Sequence, residues 1–488
     1  MSTMPSPQSS KTALVIGSSG NIGFATTQFL IDSGIHVIAA DYDDTGNKNA
    51  LASLEMPDAL QSPAVTFAEV DASNVDAISA LINDHQPDIV ISTLPPGKLA
   101  YNAAFASARE ETTYVSSNFL TEQAVEGLNA ITAEQTNDHV TNFEDYVQAQ
   151  GVTSEWGKGL DPGLDFWLFE MAVEDFKGGE IHRLTSTGAG IAEEPEDVYI
   201  YTWAGITNGM GHRPASIVKD GEKTDIDARE KFLPQNRENM SHLTLHDGTH
   251  IETYANDDGI FHLLNHAEEL GIDTTNVQLA ATLTGRHEGH CEMWDPLVRQ
   301  LDMLNDEETY PPNSTFADVL EQRMSKAGHS ADTNGGAFRS FGIDTQNPLY
   351  APTPLHSRKD APTAKDIVED HLSQIYARKT GKRDRSVIHI DVEGITASGV
   401  PHHKSLEINS YGSDQLNGLT SMQKTVAGTM AESALQLLET SPHAGLSSTQ
   451  SNNVDPDIVF ENMLQKGMIT LSDDSDAPNI QLDQAMEP

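Results

Sequence analysis

Three glycines spaced three apart, Gly17, Gly20 and Gly23, follow directly on the apolar run Thr12-Ala-Leu-Val-Ile16 and open the stretch NIGFATTQFLIDSG. Glycine lets the backbone turn tightly and come close to a pyrophosphate, whose negative charge then rests at a helix N-terminus. A strand before and a helix after turn a weak glycine pattern into a specific one. The spacing is GxxGxxG rather than GxGxxG, a variant compatible with the same geometry. It predicts dinucleotide binding by Gly17, Ser19, Gly20, Asn21, Ile22 and Gly23. Asp41, at the end of HVIAAD, can accept both ribose hydroxyls and repel a 2′-phosphate, which favours NAD over NADP. In so acidic a chain Asp is common anywhere, so NADP stays open.

Further positions follow from where the next apolar runs end. Asp71 closes VTFAEVD and is placed for the adenine end, while Thr93 and Leu94 end DIVISTLP where a nicotinamide ribose would pass. Ser116 and Ser117 close TTYVSS on the same edge. Each of these also reads as a loop-capping residue. The cluster HEGHC, His287 to Cys291, invites a metal reading, but its histidines are three apart and the HExxH spacing of zinc hydrolases is absent. No metal is expected, and Cys291 reads as buried filler. His402 and His403 read as a solvated turn. No Gly-x-Ser-x-Gly, P-loop or Cys-x-x-Cys is present, so hydrolase, kinase and thiol-redox chemistry have no footing.

The elements that must position these residues alternate. TALVIG, HVIAAD, VTFAEVD, DIVISTLP and TTYVSS are short continuous apolar runs with helical stretches between them, the pattern of a parallel sheet covered on both faces. Residues 11–160 are therefore expected to form a doubly wound α/β domain of the Rossmann type, after a disordered start at 1–10. From 161 to 414 the strands are fewer and more alternating (EIHRLTSTGAG, VIHIDVEG, SLEINSYG), which predicts a mixed α/β second domain. Pro311 to Lys359 reads as an irregular excursion. A strong helix in TSMQKTVAGTMAESALQLLE, within 415–440, carries Met422, Val426, Met430, Ala434 and Leu437 on one stripe. Residues 441–488 read as an acidic, partly disordered tail.

The charge limits partners. With 29 basic and 73 acidic residues the chain carries −44, a surface that repels nucleic-acid backbones and anionic lipid. The one basic run, Arg378 to Arg383, reads as a solvated turn. Such acidity suits a salt-adapted protein. A single cysteine excludes an intramolecular disulfide and fits a reducing compartment. With no signal-like start and no long apolar window, a cytoplasmic protein is expected.

GLDPGLDFW, residues 159–167, resembles the glutamate-forming (saccharopine reductase) branch of the saccharopine dehydrogenase family. The likeness continues through KGGEIHRLTSTGAGIAEEPED, YTWAGITNG and RPASIVKDGE, and again at LTGRHEGHCE and TSMQKTVAG, in the family's order. The resemblance implies a Rossmann domain with an inserted substrate domain, a late helix returning to the first domain, and a homodimer. It implies NAD(P)-linked oxidation of a secondary amine, saccharopine, to glutamate and aminoadipate semialdehyde, or the reverse, in lysine metabolism. Asp161 matches the family's active-site aspartate, Trp203 its pocket tryptophan and Arg286 its arginine before a Tyr-Pro-Gly-His turn. Two departures stand out. Thr187 replaces a family cysteine, and His287-Glu288 replaces the tyrosine and proline.

The chemistry agrees in outline. Hydride transfer needs little beyond deprotonating the amine and activating water for imine hydrolysis, so one placed carboxylate suffices. Asp161 is the candidate for that role or for holding the substrate ammonium; as an Asp-Pro turn it would equally cap the following helix. A substrate with several carboxylates needs fixed cations, and Arg286 and Arg213 are the candidates, with surface pairing as the alternative. Two further readings stay open: a carboxynorspermidine dehydrogenase-like enzyme, and a catalytically silent dinucleotide-binding sensor or scaffold.

Overall fold

The computed structural model describes residues 11–43, 64–137, 139–193, 207, 209–327, 361–375, 381–415, 418–449 and 453–475. Two compact units emerge, one from 1–167 and 410–470, the other from 168–409 and 471–488. The first unit is thus interrupted by the second.

The first unit holds β1 (Thr12–Ile16), α1 (Asn21–Asp32), β2 (His36–Asp41), β3 (Val65–Glu69), α2 (Val75–His85) and β4 (Ile89–Ser92). It continues with α3 (Lys98–Arg109), β5 (Thr113–Ser116), α4 (Glu122–Thr136), α5 (Phe143–Gln150) and β6 (Thr153–Glu155). Its sheet runs β3-β2-β1-β4-β5-β6-β15, with β15 at Gly445–Ser447, and every pairing is parallel. This is the Rossmann order with one added strand, and the direction of winding reverses between β1 and β4. The apolar runs are buried as their continuity demands: Leu14, Val15, Val90 and Ile91 have no exposed surface. Local signals set the helix starts, with Asn74, Thr121 and Asn142 capping α2, α4 and α5 by their side chains.

The second unit follows α6 (Leu164–Val173) and contains β7 (Glu180–Ala192), β8 (Ala215–Lys219), β9 (Glu222–Ile226), β10 (His242–Thr244), β11 (His250–Ala255) and α7 (Ile260–Glu269). Then come β12 (Leu279–Arg286), α8 (His290–Asp295), α9 (Phe316–Lys326), α10 (Ala364–Ile375), β13 (Asp384–Ile395) and β14 (Pro401–Tyr411). Its sheet runs β10-β11-β12-β7-β13-β14-β16, where β16 is Thr470–Asp473. The β7–β12 pair is parallel, and the β7–β13 and β11–β12 pairs are antiparallel. The expected α/β class, a parallel nucleotide-binding sheet followed by a mixed one, is what the chain adopts. The sheet of the second unit is backed by a helical core of Phe232, Trp294, Leu297, Phe316, Leu320, Ile367 and Leu372.

Three expectations need correction. The stretch after Ser441 is not a tail throughout: β15, α12 (Pro456–Gln465) and β16 lie in it. Asp455 caps α12 with Pro456 in the first turn, and Val459, Phe460, Met463, Met468 and Ile469 are buried, so this segment has a core of its own to fill. Within the supposed excursion, α9 starts at a reciprocal capping box between Thr315 and Asp318; residues 328–360 lie outside the described residues. The late helix is a π-turn at Gln423–Ala427 followed by α11 (Gly428–Glu439). It is buried around most of its circumference rather than along one stripe, because α1 and α12 both pack on it. Even Glu432 is enclosed there, held by Lys466 and by Asn462 Nδ2 at 3.0 Å.

Candidate functional site

At the carboxyl edge of the parallel sheet, Gly17 leaves β1 with φ 86°, a conformation that a side chain would strain. A Cβ on Gly23 would stand 2.1 Å from the Gly17 carbonyl oxygen and 2.6 Å from Thr93 Oγ1. The turn is therefore closed to anything larger than glycine, and its backbone is free of side chains where a pyrophosphate would lie. Gly20 begins α1, and no side chain caps that start, nor does an acidic residue stand in its first turn. The amides of Asn21 and Ile22 and the positive end of the helix dipole thus have the chemistry of an anion site. Gln423 Nε2 fixes this turn from the late helix by donating to Asn21 O at 2.9 Å.

Asp41 is buried at the end of β2. Its Oδ2 accepts from Ser19 N at 3.0 Å and Ser19 Oγ at 2.6 Å, and its Oδ1 from Tyr42 N at 2.8 Å. The carboxylate is thereby tied to the glycine turn and keeps lone pairs for further donors. Thr93 Oγ1 meets Ile16 O and Gly17 O, each at 3.0 Å, so its hydroxyl braces the turn from below. Asp71 is exposed, and hydrogen bonds from Ser73 hold its carboxyl below the usual carboxylate range. It organises the loop that leads to Asn74, the capping reading of that position. Leu94 O accepts from Asn118 Nδ2 at 3.1 Å, and the buried Ser116 accepts from Asn118 N through Oγ at 3.2 Å.

Beyond β6 the chain keeps pairing with β5, as Gly157 N donates to Asn118 O and Lys158 N to Ser116 O. This sets the turn Gly159 to Gly163 beside Ser117, so that a Cβ on Gly159 would meet Ser117 Cβ at 3.1 Å. Asp161 is exposed on that turn. The turn is closed by Gly159 N to Pro162 O at 2.9 Å, while Gly163 N is taken by Asp165 Oδ1 at 2.8 Å. Glycine turn, Asp41, Thr93, Ser116, Ser117 and Asp161 thus share one edge of one sheet.

Residues that sequence reasoning missed support this edge. Asn102, almost without exposed surface, donates to Ala72 O and Ser73 O, both at 3.0 Å. Lys158 and Glu155 form a fully buried ion pair of 3.2 Å under the Asp161 turn. Burial pushes the Lys158 ammonium below its ordinary pKa. No local pattern announces a lysine as buried, although its place one residue before the GLDPG turn could have drawn attention.

The remaining expected residues belong to the second unit. Thr187 is buried in mid-strand on β7, paired with Leu283 on β12 and His389 on β13. Arg286 ends β12 almost wholly buried, and its Nη1 donates to Gly285 O at 2.8 Å and Gly190 O at 3.4 Å. Arg213 is half exposed and 3.4 Å from Asp257. Trp203 lies outside the described residues. Cys291 is buried, and desolvation, with Glu252 beside it, drives its thiol pKa far up. His402 and His403 are not in a turn but on β14, where His403 Nε2 meets Asp391 at 2.7 Å.

Comparison with known proteins adds the decisive observation. Residues 13–154 match the saccharopine dehydrogenase NADP binding domain, and residues 159–466 match the saccharopine dehydrogenase C-terminal domain. The chain belongs to the saccharopine dehydrogenase family. The N-terminal match is to a domain that binds NADP, so its cofactor is a nicotinamide dinucleotide. The mitochondrial α-aminoadipic semialdehyde synthase of Rattus norvegicus is 26% identical over 331 residues, covering 64% of this chain and 34% of the relative. That of Bos taurus is 26% identical over 332 residues with the same shares. The chain therefore spans about a third of the length of these relatives. The L-Glu-forming saccharopine dehydrogenase of Saccharomyces cerevisiae superposes with a TM-score of 0.71 at 19% identity, over 96% of this chain and all of the other, and shares the fold. Among the described residues no helix is long and apolar enough to cross a membrane.

Proposed function

We propose that the protein oxidises the CH–NH bond of a secondary amine, saccharopine, to glutamate and aminoadipate semialdehyde, or runs the reverse condensation, with NAD as the preferred dinucleotide. The observation that carries this reading is the shared edge: a glycine turn at an uncapped helix start, a carboxylate for the ribose, and Asp161 on the turn after β6. The residues fit the cofactor, since the Gly17–Gly23 cradle would be filled by any Cβ. Gly17, Ser19, Gly20, Asn21, Ile22 and Gly23 would hold the pyrophosphate. Asp41 would accept the ribose hydroxyls, its negative charge repelling a 2′-phosphate. Thr93, Leu94, Ser116 and Ser117 would flank the nicotinamide end.

A bound nicotinamide would supply the acceptor for the hydride that leaves the carbon next to the amine nitrogen. Asp161, exposed on its turn, accepts the amine proton and then orients water for imine hydrolysis. By the family resemblance, Arg286 and Arg213 would take substrate carboxylates, and Thr187 and Trp203 are the further candidates for substrate binding. A homodimer and a cytoplasmic location complete the proposal.

The test is NADH appearance when the purified protein, in high salt, meets saccharopine and NAD, with NADP and Asp161→Asn alongside. Turnover that favours NAD and collapses in the variant supports the reading. Cofactor binding without reduction by saccharopine would sink it and direct attention to the polyamine and sensor alternatives.

A further inference from the structure

Three donor atoms converge in the second unit: a ring nitrogen of His246, a ring nitrogen of His389 and a carboxylate oxygen of Glu407 lie within 4.8 Å of one another. They arrive from three places, the turn between β10 and β11, β13 and β14. Glu407 is fully buried and His389 almost so, while His246 keeps some exposure and leaves a way in. Ser405 Oγ stands between the two imidazoles, 3.0 Å from Nε2 of each.

The protons of this network can be followed. Ser472 Oγ donates to Glu407 O at 3.4 Å, so it accepts from Nδ1–H of His246 at 2.9 Å. His246 Nε2 is then a lone pair and takes the Ser405 proton. Ser405 in turn accepts from Nε2–H of His389, whose Nδ1 is left as a lone pair. That nitrogen is buried and has no hydrogen-bond partner among the described residues, so nothing fixes the proton at Nε2, and its shift to Nδ1 gives Nε2 a lone pair for an ion in place of Ser405.

We propose that His246, His389 and Glu407 form a binding site for a divalent transition-metal ion of the zinc type. Two neutral imidazoles and one carboxylate are a known zinc donor set, and imidazole selects against magnesium and calcium. His246 is held through its far nitrogen by Ser472, as ligating histidines are. Glu407 is oriented by Asn409 Nδ2 at 2.7 Å and Arg385 Nη2 at 3.2 Å on Oε1, and by His246 N at 2.9 Å on Oε2. Arg385 also pairs with Asp247 at 2.7 Å; its charge beside Glu407 makes the affinity moderate. The ion displaces the Ser405 hydroxyl and fastens the β10–β11 turn to β13 and β14. The neighbouring trio Asp391, Glu393 and His403 is not a second site, because Arg183 already stands 3.8 Å from Asp391 and 4.0 Å from Glu393.

The experiment is calorimetric titration of chelator-treated full-length protein with zinc, paired with cobalt titration read by visible absorption. One ion per chain is expected, with a rise in melting temperature on adding zinc. His246→Ala, on a turn where the fold tolerates it, should weaken zinc more than about tenfold and abolish the thermal shift, and Ser472→Ala should weaken it about tenfold. His389→Gln should behave as His246→Ala, and His403→Gln should bind as the parent does. No zinc bound by the parent, or equal affinity in His246→Ala, would mean a hydrogen-bond network only and overturn the site.

Discussion

Ser19 donates both its amide and its hydroxyl proton to the same oxygen of Asp41, at 3.0 and 2.6 Å, so the residue that would choose the cofactor is fastened to the turn that would hold it. Replacing Asp41 by Asn keeps the shape but removes the charge that repels a 2′-phosphate. A hydrogen bond to a charged group contributes about 1.5–3 kcal/mol, so kcat/KM for NAD should fall roughly ten- to a hundredfold while that for NADP rises. Ser19→Ala leaves the charge and loosens its aim, and should shift the NAD/NADP ratio in the same direction by less. An unchanged ratio in both variants would remove Asp41 from cofactor choice.

Gly23→Ala tests the cradle. The added carbon would stand 2.1 Å from Gly17 O, and the turn must open to admit it. Overpacking of this kind costs about 1–3 kcal/mol, so the variant should still fold, with a lowered melting temperature, and lose measurable dinucleotide binding by fluorescence titration. Unimpaired binding would show that the turn does not form the phosphate site.

The nucleotide half of this molecule was legible because its signals are contiguous. A buried parallel strand must be an apolar run, and the glycine turn sits directly after it, so β1, α1 and the role of Gly17 could be read within a dozen residues. Asp455-Pro456 and Gly467 around α12 were equally local signals, but a surrounding excess of Ser, Asn and Asp hid them. Lys158 was not legible in any such way, since its carbonyl partner Ser448 lies 290 residues along the chain. The same holds for His246, His389 and Glu407, which no spacing rule connects.

Lys158 and Glu155 should matter more to stability than their adjacency suggests. Both side chains are fully buried, and removing one partner of a buried pair strands the other charge at a cost of about 3–5 kcal/mol. Lys158→Met and Glu155→Gln should each lower the urea midpoint markedly. The double variant should lose less than the two losses added together, because no charge is then stranded. Additive losses would mean that the two groups do not depend on each other.

His266 supplies a pH dependence whose sign can be worked out. Its hydrogen bond with Glu170, at 2.8 Å, is the largest cause raising its pKa above 6.5, and Glu269 at 3.1 Å adds to it against the effect of burial. The folded state therefore holds the proton more tightly than the unfolded chain. The resulting stabilisation is fully present below the unfolded value and is lost as pH rises through the folded one. Glu269 is largely exposed, so solvent screening limits the effect to about 1 kcal/mol. Urea unfolding of the parent and of His266→Gln should differ most at about pH 6 and converge at about pH 9. A gap that widens with pH would show that His266 is neutral in the folded protein and that the two glutamates do not hold its proton.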